Sequence, residues 1–254
     1  MNKEYVQQYV QLEKGHWWFV VRQKIILQFL KKYLAGANLK ILNIGAAGGA
    51  STLWLSTFGK VISVETDSFF LEHLTEQNIE VVNASVTQMP FNDEEFDLVC
   101  AFDVIEHVAD DTAAISEIER VCKKGGTICM TVPAFKMLWS NHDVVNGHYR
   151  RYTKKDLQEL SEKPLVLEKI CINYFNSLLF VPILIARKIS NFTRGSQKSQ
   201  QSDFTSFKTV ALVNKIFKFI FSLELTLLNK LHFPFGVSLI GIWKKTGKNI
   251  PRAK

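Results

Sequence analysis

Asp103-Val-Ile-Glu106-His107 sets two carboxylates and an imidazole within five positions. If residues 104–110 turn helically, Asp103, Glu106 and His107 share a face, because positions three and four apart are neighbours on a helix. Histidine is the usual general base near neutral pH, so this cluster reads as catalytic. The bland alternative for His107 is a structural ring bonded to a loop carbonyl. A second cluster further along, His142, His148, Tyr149, Arg150 and Arg151, is expected to border the same crevice. Arg150 and Arg151 could grip a phosphate or carboxylate of a substrate. A surface salt bridge is the alternative for Arg151.

The stretch ILNIGAAGGA, residues 41–50, supplies the other candidate site. An apolar strand runs into a cluster of small residues that opens a helix. Such a turn lets backbone N–H groups face a ligand at the helix N-terminus. Glu65 ends the next strand, 20 residues after Gly45, where a carboxylate can accept hydrogen bonds from ribose hydroxyls. The combination points to an adenosine-containing ligand. It is not a nicotinamide fingerprint, because the loop lacks GxGxxG and no tyrosine has a lysine four residues on. No GK[ST] follows, which excludes a phosphate loop of that type.

The elements that must position these residues alternate. Residues 3–35 read as helix broken at KGHWWF. Then come strand LKILNIG, helix AGGASTLWLSTFG, strand KVISVE, helix DSFFLEHLTEQ and strand IEVVNA. The loop SVTQMPFNDEE leads to strand FDLVCAF, helix DDTAAISEIERVC and strand GGTICMTVPA. Alternating strands and helices build a parallel sheet, and the near-continuous apolar strands imply cover on both faces. After Pro133 a polar, aromatic loop leads to helix TKKDLQELSE, capped by Thr153, and a strand at 165–173. Residues 174–189 are apolar but interrupted by Pro182, 190–206 read as a linker, and 207–232 as a second apolar helix with a narrow polar stripe. GVSLIGIWKK closes the pattern as a final strand.

The 254 residues suit one domain with an insertion, and 47% apolar against 22% charged residues is ordinary globular composition. Cys100, Cys122, Cys129 and Cys171 show no metal or disulfide spacing and read as reduced core cysteines. The N-terminus lacks the apolar core of a signal peptide, which predicts a cytoplasmic protein. Charge is lopsided: residues 1–186 carry −4, and the rest +11 of the total +7. That basic end suits an anionic neighbour such as lipid headgroups or a phosphorylated substrate. A solvated surface without a partner is the alternative. Neither apolar stretch reaches the ~20 uninterrupted residues of a membrane span. They could lie in the interface of an anionic membrane, or pack internally or as a dimer contact. Nucleic-acid binding is excluded by the long aliphatic runs within the basic segment and by the absence of a recognition motif.

LKILNIGAAGG, VISVETD, SVTQMPF, FDLVCAFDVIEHV and ERVCKKGGTICMTVPA resemble, in order and spacing, the class I S-adenosylmethionine-dependent methyltransferases. HWWF, VPAFKMLWSNHDVVNGHYRRYT, YFNSLLFVP and PFGVSLIGI look like a bacterial subgroup whose genes often accompany those for cell-surface glycan or glycolipid assembly. The resemblance implies a doubly wound, Rossmann-like α/β fold: seven mostly parallel strands, the last antiparallel. It divides the chain into a helical cap (1–36), a cofactor-binding core (37–173 and 236–246) and an apolar, basic helical insertion (174–235).

S-adenosylmethionine is the implied cofactor. Asn43, Gly45, Ala46, Ala47, Gly49, Glu65, Thr66, Ser85, Val86, Ala101 and Phe102 fall where such enzymes hold it. His16, Trp17, Trp18 and Phe19, with Arg22, would form a lid, or else merely pack on the sheet. Asn43 stands where the family has an acid, Ala47 where it has its middle glycine, and Ser85 where an Asp often meets the adenine. Trp139, His142, Tyr149 and Arg151 would touch the acceptor. Asp103, Glu106, His107 and His148 are also similar to the metal-binding set of small-RNA 2′-O-methyltransferases, which implies a divalent ion as an alternative to simple base catalysis. The expected reaction is O-methylation of a glycan, nucleotide-sugar or lipid-linked glycan at the inner membrane face. A non-catalytic cofactor-binding scaffold is the rival.

Overall fold

The computed structural model describes residues 3–34, 36–162, 166–193, 211–228 and 230–247. The N-terminal helical run divides into α1 (Lys3–Gly15) and α2 (Trp17–Tyr33). The break at KGHWWF is a helix cap. His16 is extended, at φ −73° and ψ 135°, and its side chain accepts the Trp18 N–H.

Seven strands follow: β1 (Leu39–Ile44), β2 (Gly59–Glu65), β3 (Val81–Asn83), β4 (Phe96–Phe102), β5 (Cys122–Pro133), β6 (Leu167–Phe175) and β7 (Ser238–Lys245). They form one sheet in the order β3-β2-β1-β4-β5-β7-β6, in which β7 alone runs against the rest. The order reverses between β1 and β4, and the crevice at such a switch point is where doubly wound sheets bind ligands. The expected fold is thus the observed one.

Alternate residues of each strand point to opposite layers, which is why the strands are apolar throughout. On one face Leu42, Val99 and Met130 pack with Ile115 and Ile118 of α5 (Asp111–Val121) and with Leu157 of α7 (Lys154–Ser161). On the other, Leu98, Cys100 and Ile242 meet Val21, Ile25 and Phe29 of α2. The helices α3 (Ala50–Leu55) and α4 (Ser68–Glu76) complete the β1 and β2 crossovers. All four cysteines are buried and unpaired.

Three segments differ from the sequence expectation. First, the loop after Pro133 contains a 3-10 turn, Lys136–Leu138, and a short helix α6 (Asn141–Val145). Second, the apolar run at 174–189 continues β6 to Phe175 and then becomes α8 (Phe180–Thr193). Pro182 is the third residue of α8, in the first turn, where no intrahelical acceptor is lost, so it opens the helix rather than interrupting it. Third, the second apolar helix, α9, spans Ala211–Leu227. Its inner side carries Phe217 and Phe221 edge-on to Trp17, at 5.4 and 5.8 Å between centroids. Buried Glu224 accepts the Leu178 N–H at 2.8 Å and holds the turn before α8. The α9 helix is shorter than the expected 207–232 over the described residues, and outward it exposes Leu212, Ile216, Phe219 and Leu223 beside Lys215, the apolar helix with a narrow polar stripe that the sequence suggests. The linker reading at 190–206 and the tail beyond 247 fall largely outside the described residues. Among those described, no helix is long and apolar enough to cross a membrane.

Candidate functional site

A cavity of about 1050 Å³ opens along the carboxyl ends of the strands. One end is the glycine loop. Gly45 sits at φ +71°, and a Cβ there would lie 2.6 Å from Cγ2 of Val104, so only glycine fits. Its N–H and that of Ala46 are spent on the carbonyl of Val64. Ala47 takes the left-handed conformation (φ +46°), costing about 1–2 kcal/mol for a residue with a Cβ. Glu65 offsets this by accepting the Ala47 N–H at 2.9 Å. The other carboxylate oxygen of Glu65 accepts the N–H groups of Thr66 and Asp67, at 2.7 and 3.0 Å. The carboxylate is thereby fixed at the rim, with lone pairs left over. Thr66, Ser85, Val86 and Phe102 line the cavity with it.

Asn43 does something else. It is fully buried beneath the loop, where its Nδ2 donates to Ser51 and Thr52 at 2.8 and 2.9 Å, and Thr52 in turn bonds Ser63. It does not line the cavity; it ties β1 to the first turn of α3. Ala101 is buried inside β4, and Gly49 (φ +88°) caps α3 against Leu74 and Ile79, so neither lines the cavity.

The lid residues roof this end. Trp17, Trp18, Phe19 and Arg22 all line the cavity. The Arg22 guanidinium sits 4.8 Å from the centre of the Trp18 ring and pairs with Asp103 at 2.5 Å, while donating to Thr131 at 3.0 Å. Asp103 is itself left-handed (φ +57°), held by its N–H on the Thr131 carbonyl.

The opposite end is built on buried ions. Asp143, the third residue of α6, has no exposure and accepts four bonds. They come from Nδ1 of His148 (2.9 Å), Nε and Nη2 of Arg151 (2.7 and 3.1 Å) and the backbone N–H of Ser140 (2.9 Å). Burial alone would raise its carboxyl, but His148 and Arg151 override that and hold it well below the usual carboxylate range. Arg151 lines the cavity as expected, but its guanidinium is spent on this buried pair and on the Ala134 carbonyl, so it is neither a free phosphate clamp nor a surface salt bridge. Arg150 pairs with Asp111. Tyr149 points outward at 60% exposure, and neither it nor Trp139 lines the cavity. His142 does line it; burial, followed by Arg187, lowers its pKa to about 3.

Glu106, His107 and His148 converge here. The residues 105–107 form a 3-10 turn, and the rings of His107 and His148 meet edge to face at 4.6 Å. Burial, with His148 adding to it, lowers His107 to about 4 and keeps it neutral. Glu106 is fully buried with both carboxylate oxygens lacking a partner, and burial raises it well above its ordinary range. The donor atoms of these three side chains lie within 4.8 Å of one another. Asp103, expected as a fourth ligand, is engaged by Arg22 instead. One carboxylate and two imidazoles, one of them backed by a carboxylate, are donors that suit a divalent transition ion. Between the two ends, Pro182, Ile183, Ala186, Arg187 and Ser190 of α8 and Phe217 of α9 complete the wall.

Sequence reasoning missed Asp143, Tyr9 and Glu13. Asp143 had a signal, since Ser140-x-x-Asp143 has the spacing of a capping box, and the Asp143 carboxylate does accept the Ser140 N–H. Tyr9 and Glu13, on α1, reach the cavity only through tertiary packing.

Residues 42–130 match the family model described as a methyltransferase domain. A Mycolicibacterium smegmatis protein described as "Probable S-adenosylmethionine-dependent methyltransferase" is 26% identical over 155 residues, 59% of this chain and 60% of that one. A ubiquinone biosynthesis O-methyltransferase of Methylococcus capsulatus is 26% identical over 110 residues, 40% and 46% of the two chains. The chain thus spans from under half to three fifths of the length of such relatives. A SAM-dependent methyltransferase from Archaeoglobus fulgidus shares the fold, with a TM-score of 0.60 at 17% identity over 93% of this chain and 99% of that chain. The matched segment runs from β1, before the glycine loop, into β5, and over it the chain is similar to methyltransferase domains whose fold it shares.

Proposed function

We propose that this protein methylates a hydroxyl oxygen of an acceptor bearing a polar head and an apolar tail, a lipid-linked glycan being the reading that the basic, apolar helices favour. One observation carries it: a single cavity joins the glycine loop, the histidine cluster and the inner walls of α8 and α9. S-adenosylmethionine supplies the electrophilic methyl group when bound. The glycine loop and Glu65 hold the adenosine, and the Trp18 and Arg22 roof excludes water. His148 is the proton acceptor this geometry favours, since Asp143 occupies its Nδ1 and leaves Nε2 for the acceptor hydroxyl. His107 stays neutral and packs against that ring. The relative named for ubiquinone biosynthesis supports an amphiphilic acceptor class.

A second reading rests on the two unpartnered oxygens of Glu106. A divalent cation held by Glu106, His107 and His148 would lower the pKa of the acceptor hydroxyl. Glu106 and His107 would then be ligands, and His148 would bind the ion through the nitrogen that Asp143 leaves open.

The outer face of α8 and α9 exposes Ile185, Ile189, Phe192, Ile216, Phe219 and Leu223, with Lys188 and Lys215 beside them and no exposed acid. That composition supports peripheral contact with an anionic cytoplasmic membrane surface, from which a lipid-linked acceptor would enter; a dimer contact is the competing use. The test incubates the protein with methyl-labelled S-adenosylmethionine and a membrane lipid extract. Label is expected in the organic phase, undiminished by a chelator if His148 acts as a simple base and abolished by one if the cation reading holds. Cofactor binding without label in any extract or glycan fraction would favour the scaffold reading.

A further inference from the structure

Five acids line the cavity, and four of them are accounted for. Glu65 is fixed by backbone N–H groups. Asp67 caps α4 through the N–H groups of Phe69 and Phe70. Asp103 pairs with Arg22. Glu106 belongs to the histidine end, over which Asp143 and His148 preside. The fifth, Glu13, comes from α1 and lies on the glycine loop. Its carboxylate accepts the backbone N–H of Ala50, the first residue of α3, while its Oε2 is buried without a partner. A Cβ on Gly48 would sit 2.2 Å from that oxygen, so the loop is shaped around the carboxylate. Meanwhile Asn43, where an acid was expected to face the ligand, is neutral and turned away beneath the loop.

We infer that Glu13 is the receptor for the α-ammonium group of the cofactor's amino-acid portion, reaching across from the N-terminal helix to supply the negative charge that Asn43 cannot. This rests on the cofactor reading above. Three facts make the assignment. Glu13 lines the cavity together with Ala46, Ala47 and Ala50, and its Oε2 lies against Gly48 of the loop. A buried carboxyl with an unpartnered oxygen is costly to ionise until a cation meets it. The alternative cation, Arg22, gives its Nη2 to Asp103 and Thr131 and no bond to Glu13 is seen.

A consequence in protons follows. Burial raises the Glu13 pKa to about 8, against the smaller opposing pulls of the Ala50 N–H, Arg22 and Lys14; Tyr9 also faces it. At pH 7 the free protein therefore holds the carboxyl protonated. Capture of an ammonium ion requires the ionised form, so binding releases that proton to solvent, and affinity rises as pH goes from about 6.5 toward 8.

The experiment is isothermal titration of the full chain and of Glu13→Gln with S-adenosylhomocysteine, S-adenosylmethionine and 5′-methylthioadenosine, in two buffers of different ionisation enthalpy. The expected loss for Glu13→Gln is about 10-fold for the first two ligands, the scale of one charge-assisted hydrogen bond. No loss is expected for 5′-methylthioadenosine, which lacks the amino group. Wild type is expected to release a proton at pH 7 on binding S-adenosylhomocysteine, and Glu13→Gln to release none. Gly48→Ala, which must displace the carboxylate, is expected to reproduce the loss. Unchanged affinity in Glu13→Gln would overturn the assignment, as would a loss confined to S-adenosylmethionine, which would make Glu13 a reader of the sulfonium. Wild type that binds none of the three ligands overturns the cofactor reading itself.

Discussion

The two ends of the cavity are made by different means. The glycine-loop end is backbone: positive φ at Gly45, Ala47 and Gly49, N–H groups directed by a helix start, and one carboxylate laced to three of them. The histidine end is side chain: an ion cluster of Asp143, Arg151 and His148 buried behind Glu106 and His107. A backbone site depends on conformation and tolerates changes in chemistry, which is how Ala47 can stand at a glycine position. A buried ion cluster depends on every member being present, since one charge removed leaves another unpaired.

The largest expected effect therefore lies at the histidine end. Asp143→Ala leaves Arg151 buried without its partner and should cost about 3–5 kcal/mol of stability, read as a shift in the urea midpoint. Asp143→Asn, which keeps the shape, should cost less; equal losses would show that packing rather than charge holds this end.

His148→Gln should lower methyl transfer by about 10²–10⁴-fold, the usual contribution of a general base. Cofactor affinity should stay unchanged. A comparable loss in His107→Gln would move the proton acceptor to His107.

pH separates the ends a third way. Burial lowers His107 to about 4 and His142 to about 3, so the unfolded chain binds protons that the native state refuses. Folded pKa values below the unfolded ~6.5 mean that stability is complete above pH 6.5 and is lost as pH falls toward 4. Asp143, also depressed, extends the loss to lower pH. Between pH 7 and 5 each histidine should contribute a loss of about 2 kcal/mol, opposed by the raised carboxyls of Glu13 and Glu106, so the loss is read as the difference between wild type and His142→Asn.

Gly45→Ala confronts both the left-handed φ and Val104 and should cost about 1–3 kcal/mol, together with cofactor affinity. Methyl transfer at saturating cofactor should survive better than binding does.

The smallest effect on stability is outside both ends. Phe219→Ser on α9, at 67% exposure, should change stability by less than about 0.5 kcal/mol. It should nevertheless weaken flotation with anionic phosphatidylglycerol vesicles. If flotation is unchanged while a dimer dissociates, the face serves a second copy instead.

The same contrast explains how much was legible in the sequence. Strand and helix alternation through β5 stands out because each element carries its own period, and the glycine loop with Glu65 lies within 25 residues of chain. Residues 136–145 read as loop because a 3-10 turn and a five-residue helix are too short for any period. Arg151 reaches the cavity as its sequence position suggests, but its buried pairing was not legible because Asp143 belongs to that short helix. Asn43 was misjudged because strand alternation turns it toward Ser51 and Thr52, a direction that the glycine pattern does not encode. Glu13 is separated from Gly48 by 35 residues and touches it only because α1 folds back over the crossover.

The central claim is that one cavity holds the cofactor at its glycine end and does proton chemistry at its histidine end. The most direct measurement is titration of S-adenosylhomocysteine into wild type, Gly45→Ala and His148→Gln. Binding near micromolar, about −8 kcal/mol, is expected for wild type and His148→Gln, with a weakened Gly45→Ala. No heat with wild type, or a loss in His148→Gln equal to that in Gly45→Ala, would contradict the account.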